Sequence, residues 1–78
     1  MNNIEFILND AGITSKINSL TNDEKKFIKE KLIKHYEFMR NPIFGNEHTI
    51  INEKTGEVKT LKTSEIAEII EKLKEIVK

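Results

Sequence analysis

The segment from His48 to Lys78 constrains the fold of this chain more than any other part. Two short runs, His48-Thr49-Ile50-Ile51-Asn52 and Glu57-Val58-Lys59-Thr60-Leu61, flank Lys54-Thr55-Gly56, and an apolar-striped helix follows with no linker between. β-Branched residues suit a pleated, half-buried surface, and glycine enters the left-handed conformation without steric cost. The pattern predicts a two-stranded antiparallel hairpin over about 48–61. A three-residue loop closed by a bulge sets Ile51 opposite Lys59, whereas a four-residue loop sets Ile51 opposite Val58 and exchanges the two faces. The bulged loop, ending at a left-handed Gly56, is the expected form.

The helix after the hairpin, over about 64–77, has Thr63 as its expected N-cap. Glu65 and Glu68 complement its positive start, and Lys72, Lys74 and Lys78 its negative end. Ile66, Ile69, Ile70, Leu73, Ile76 and Val77 recur at helical spacing and form one stripe that has to be buried. The repeat ends after about two heptads, too short for a coiled coil.

The chain has 78 residues, of which 37% are hydrophobic, and no cysteine. A single domain of this size buries only roughly 60–65% of the surface of its unfolded chain. With no disulfide to staple it, association with a partner or with its own copies is a natural way to gain buried area. Cysteine-free composition suits a reducing cytosol, and cytoplasmic localisation is the expectation. The N-terminus has neither a signal-peptide pattern nor an apolar run of membrane-spanning length.

Thirteen basic residues balance thirteen acidic ones, so no overall field steers the chain toward nucleic acid or an anionic membrane. The charges are nevertheless segregated. Residues 1–24 carry −3 (Lys16 against Glu5, Asp10, Asp23 and Glu24), whereas residues 25–40 carry +4 (Lys25, Lys26, Lys29, Lys31, Lys34 and Arg40 against Glu30 and Glu37).

Two further helices precede the hairpin. Asn3 is the expected cap of a short one, over about 3–11, with Ile4, Ile7, Leu8 and Ala11 on one side and a Schellman-type stop at Gly12-Ile13. Thr14 to Leu20 reads as a loop or a single helical turn anchored by Ile17 and Leu20. Thr21-Asn22-Asp23-Glu24 has the capping-box pattern and begins a helix over about 22–40, which Asn41-Pro42 stops. At 3.6 residues per turn, Ile28, Leu32, His35, Tyr36 and Met39 form its apolar stripe, Phe27 and Phe38 border it, and Ile33 points nearly the opposite way. The expected architecture is a single compact α+β domain of order α-α-β-β-α, with the hairpin packed against the helices.

Chemistry-bearing groups do not gather into a recognisable site. His35 is expected in an apolar stripe and His48 at an exposed strand start, and neither has carboxylates or further ligands at metal-ligand spacing. Ser15, Ser19 and Ser64 lack a strand-to-helix elbow, and Gly12, Gly45 and Gly56 are too scattered for a phosphate loop. No catalytic residue, cofactor or metal is expected, and an enzyme is not the expected class.

Leu8-Asn9-Asp10-Ala11-Gly12-Ile13-Thr14 resembles the turn of helix-turn-helix DNA-binding proteins, where glycine follows a small residue and precedes an apolar one. That resemblance implies a DNA-binding regulator using the N-terminal helices. The basic recognition side chains of that class are sparse here, since Thr14 to Leu20 offers only Lys16 and the chain has one arginine. The glycine-turned hairpin running through Thr63-Ser64 into an Ile/Leu helix resembles the outline of small phage head–tail joining proteins of the lambda W type. It covers roughly residues 48–77 and implies a structural, assembly-type role.

Ile33, Phe38, Ile43 and Phe44 remain. Phe38, Ile43 and Phe44 either cap the core or form an exposed patch for another protein, and Ile33, pointing off the stripe, hints at an interface if exposed. The expected function is a small non-enzymatic protein-binding module, an inhibitor, adaptor or assembly factor of the kind phages and mobile elements encode. It acts by docking on a partner protein or on its own copies, with these four residues as the candidate contact surface.

Overall fold

The computed structural model describes residues 2–78, which form helices and a two-stranded antiparallel hairpin in the order helix, helix, strand, strand, helix. Helix α1 (Asn3–Asp10) is capped one residue earlier than the sequence suggests: the Asn2 Oδ1 accepts the Glu5 N–H at 2.8 Å. Asn3 serves elsewhere, its Oδ1 accepting the Lys59 ammonium at 3.2 Å. The helix stops as expected. Ile13 N–H donates to the Leu8 carbonyl and Gly12 N–H to that of Asn9, the two bonds of a Schellman motif, with Gly12 at φ +85°.

Residues 13–21 contain one short 3₁₀ turn, Ile17–Ser19, and of its two expected anchors Leu20 is buried while Ile17 is largely exposed. The long helix begins with the full capping box. Thr21 Oγ1 accepts the Glu24 N–H at 3.1 Å, and a Glu24 carboxylate oxygen accepts the Thr21 N–H at 2.9 Å. Its other carboxylate oxygen accepts the Ser15 hydroxyl at 3.0 Å.

That helix is interrupted. It runs as α2 (Asn22–Phe27), a π-helical turn (Ile28–Leu32) and α3 (Ile33–Met39), the Ile33 N–H reaching back five residues to the Ile28 carbonyl. A π turn takes one extra residue per turn, so everything after it is rotated backward by about one α-helical residue position. Ile28 and Leu32 stay inside, as expected. Beyond the turn, Ile33 and Tyr36 come inward and His35 turns out to solvent. The regular 3.6-residue period assigned Ile33 and His35 the other way round. Burying an isoleucine in place of an imidazole is the physical gain that accompanies the irregular turn.

The hairpin pairs β1 (Glu47–Ile51) with β2 (Val58–Lys62), setting Ile51 opposite Val58 and His48 opposite Leu61. This is the four-residue register rather than the bulged one. Asn52 decides between them: its N–H donates to the Glu57 carbonyl, its own carbonyl accepts the Gly56 N–H, and its buried Oδ1 accepts the N–H groups of Lys54 and Thr55. Gly56 has the expected positive φ, +77°. The inner face carries His48, Ile50, Lys59 and Leu61, so His48 is partly buried rather than exposed. Lys59 lies 5.4 Å from the centre of the buried Phe6 ring, linking the hairpin to α1.

Helix α4 (Thr63–Ile76) has Lys62, not Thr63, in the cap position, with the Glu65 carboxylate accepting the Lys62 N–H at 3.0 Å. A lysine side chain has no acceptor, so only half of a capping box exists here. Thr63 instead donates its N–H and its hydroxyl to the Asn46 carbonyl. The α4 stripe is the centre of the core: Ile66, Ile70 and Leu73 are fully buried with Phe6, Ile7 and Ile28. Among the described residues no helix is long and apolar enough to cross a membrane.

Candidate functional site

The end of the long helix builds an exposed aromatic pair. Asn41 Oδ1 accepts the Ile43 N–H at 3.2 Å, Pro42 opens a 3₁₀ turn (Pro42–Phe44), and the Phe44 N–H donates to the Asn41 carbonyl. This tight reversal lays Phe44 back on Phe38, ring centres 4.9 Å apart and tilted by 52°. Both rings stay in solvent. Phe38 is 63% exposed, Phe44 44%, and the adjoining Ile43 79%. Their contact is with each other rather than with the core, so the core-capping alternative does not hold for these three side chains.

Ile33 does not join them. At 5% exposure it lies within the core, and its place in the candidate contact surface is corrected by the π turn described above.

The same helix is rich in exposed cations. Lys26, Lys29, Lys31, Lys34 and Arg40 are exposed, and the ion pairs within 4 Å among the described residues join Lys74 to Glu37 and to Glu71 instead. Lys34 stands one helical turn before Phe38 on the same side. The aromatic pair therefore has Lys34 one turn away, on a helix whose exposed lysines make no ion pair within 4 Å among the described residues.

A second surface lies across the molecule, between α1 and α4. A cleft of about 490 Å³ has Ile4, Ile17, Ile69 and Ile76 as its floor, with Glu65, Glu68, Glu75 and Lys72 around it. Its surroundings carry excess negative charge. Sequence reasoning missed this cleft because it depends on how α1 and the 3₁₀ turn meet α4; Ile17, expected to be an anchor, is exposed and lines it instead.

The outer hairpin face was missed for a different reason. Ile51 and Val58 stand opposite each other and exposed, beside the Thr49 and Thr60 hydroxyls 3.3 Å apart. The four-residue register would have revealed this face from the alternation alone.

The Tyr36 pKa is pushed up to about 12, chiefly by burial and further by the negative charge of Asp10. Glu24 is held below the usual carboxylate range by the Thr21 N–H, with the Ser15 and Thr21 hydroxyls assisting. His35 meets the Tyr36 ring edge-on with centres 5.2 Å apart, and His48 has a buried Nε2 without a hydrogen-bond partner among the described residues. Among the described residues no three His, Cys, Asp or Glu side chains gather to hold a metal ion.

The turn at Gly12 leads into non-helical chain, and the next α-helix starts only at Asn22. Helix-turn-helix units join their helices by about three or four residues, so this turn does not present a recognition helix. Comparison of the chain with protein-family models, with curated proteins and with solved structures finds no match.

Proposed function

We propose that this chain is a small non-enzymatic protein-binding module, an inhibitor, adaptor or assembly factor, that docks on other protein surfaces through the face built by Phe38, Ile43 and Phe44. The observation that carries this reading is the exposed ring pair. A chain with so little apolar material leaves three of its large side chains in water at one helix end, where interface anchors are characteristically aromatic. Lys34 and the other exposed lysines of the long helix add orientation and association rate rather than affinity.

The test is binding by the intact chain and by Phe38→Ser/Phe44→Ser, with circular dichroism showing both folded. Equal capture of a protein partner by both forms would remove the aromatic face from the reading. The competing function, DNA binding, rests on the exposed lysines of the long helix. Phosphate contacts make affinity fall steeply with salt, whereas docking through Phe38 and Phe44 changes little, so a salt titration against a DNA duplex separates the two.

A further inference from the structure

We infer that the partner is a second copy of this chain, joined head to tail, the Phe38–Phe44 face of one copy seating in the α1–α4 cleft of the next. This rests on the protein-docking reading above and names its occupant. Three observations lead to it. First, the two surfaces are complementary in kind. One offers exposed aromatics one helical turn from the exposed Lys34; the other offers a cleft lined by isoleucines together with Glu68 and Glu75.

Second, they lie on opposite sides of α4 and can be occupied together. That helix turns Lys74 toward Glu37 on α3, while Glu68, Ile69, Lys72 and Ile76 line the cleft on the α1 side. Third, the chain as a whole is neutral, so copies do not repel one another at long range, although their charges are separated on each copy.

The charge pattern also selects the mode of pairing. A two-fold contact of the aromatic face with itself would bring Lys34 toward its own equivalent, which opposes association. Contact between unlike surfaces places that lysine near carboxylates. Such a heterologous contact closes into a ring or continues as a filament, according to the rotation between copies.

The experiment uses sedimentation of full-length chains. The wild type is expected to sediment above its 9.1 kDa monomer mass as concentration rises. A face variant, Phe38→Ser/Phe44→Ser, and a cleft variant, Ile17→Ser/Glu68→Gln/Glu75→Gln, change only exposed side chains and are each expected to stay monomeric and folded by circular dichroism. Mixed in equal amounts they are expected to form a species of twice the monomer mass that grows no further, because only one intact face and one intact cleft can meet. The substitutions leave the two variants without opposite net charges, so non-specific attraction does not produce that dimer.

A wild type that remains monomeric at its highest soluble concentration overturns self-assembly but leaves docking on a foreign protein standing. A cleft variant that dimerises alone overturns the head-to-tail arrangement in favour of a two-fold contact. Association that persists in the face variant overturns this inference, while capture of a protein partner by the same variant decides the docking reading separately.

Discussion

Phe38 and Phe44 lie on either side of the Asn41-Pro42 stop with their ring centres 4.9 Å apart, and the contact is made in solvent. Such a pair is worth about 0.5–1.5 kcal/mol, small beside the burial of a core side chain. Phe38→Ser and Phe44→Ser are therefore expected to lower unfolding free energy by no more than about 1 kcal/mol while weakening association. Urea denaturation and sedimentation on the same samples check both halves. A loss as large as that of Leu73→Ala, about 2–5 kcal/mol, would make these rings part of the core.

The π turn makes opposite forecasts for two residues two positions apart. Ile33→Ala is expected to cost about 2–5 kcal/mol because it opens a cavity beside Leu32 and Tyr36, whereas His35→Leu is expected to shift stability by about 0.5 kcal/mol or less at its exposed site. Thermal denaturation of the two variants is sufficient. If His35→Leu stabilised strongly while Ile33→Ala were neutral, the helix would be running at the regular 3.6-residue period.

At Gly56 the backbone has φ +77° and nothing lies within 4 Å of the position a Cβ would take. The penalty for a side chain there is thus conformational rather than steric contact with neighbours. Gly56→Val is expected to lower stability by about 1–2 kcal/mol, and Gly56→Asn by less, because asparagine tolerates the left-handed region. Equal midpoints for glycine and valine in a denaturant titration would remove the proposed loop geometry.

Tyr36 provides the pH forecast. Its folded-state value is raised from 10.0 to about 12, so between those values the folded chain holds a proton that the unfolded chain has lost. Its contribution is fully present below pH 10.0 and declines as pH rises toward 12. The shift amounts to about 2–3 kcal/mol at high pH. The difference in unfolding free energy between wild type and Tyr36→Phe is expected to be flat below pH 10 and to turn against the wild type above it. A flat difference through pH 12 would mean that the phenol is not buried in solution.

What the sequence determined by itself was local. The Thr21–Glu24 capping box, the Schellman stop at Gly12, the left-handed Gly56 and the buried stripe of α4 each depend on groups within a few residues of one another. Their geometry follows from side-chain length and backbone sterics, and so did the α-α-β-β-α order. The candidate surface was legible only in part: the sequence left Phe38, Ile43 and Phe44 between capping the core and an exposed patch, and the structure leaves all three exposed. Only the tertiary structure decided the phase of the long helix, the register of the hairpin and the existence of the α1–α4 cleft. In each case local alternatives differ by little, and the choice falls to distant partners. The core gains Ile33 and releases His35 through one π turn, Asn52 holds the four-residue loop while Leu61 faces inward, and α1 meets α4 across residues far apart in the chain. Burial free energy scales with the area that such long-range contacts cover, which no short window of sequence can specify.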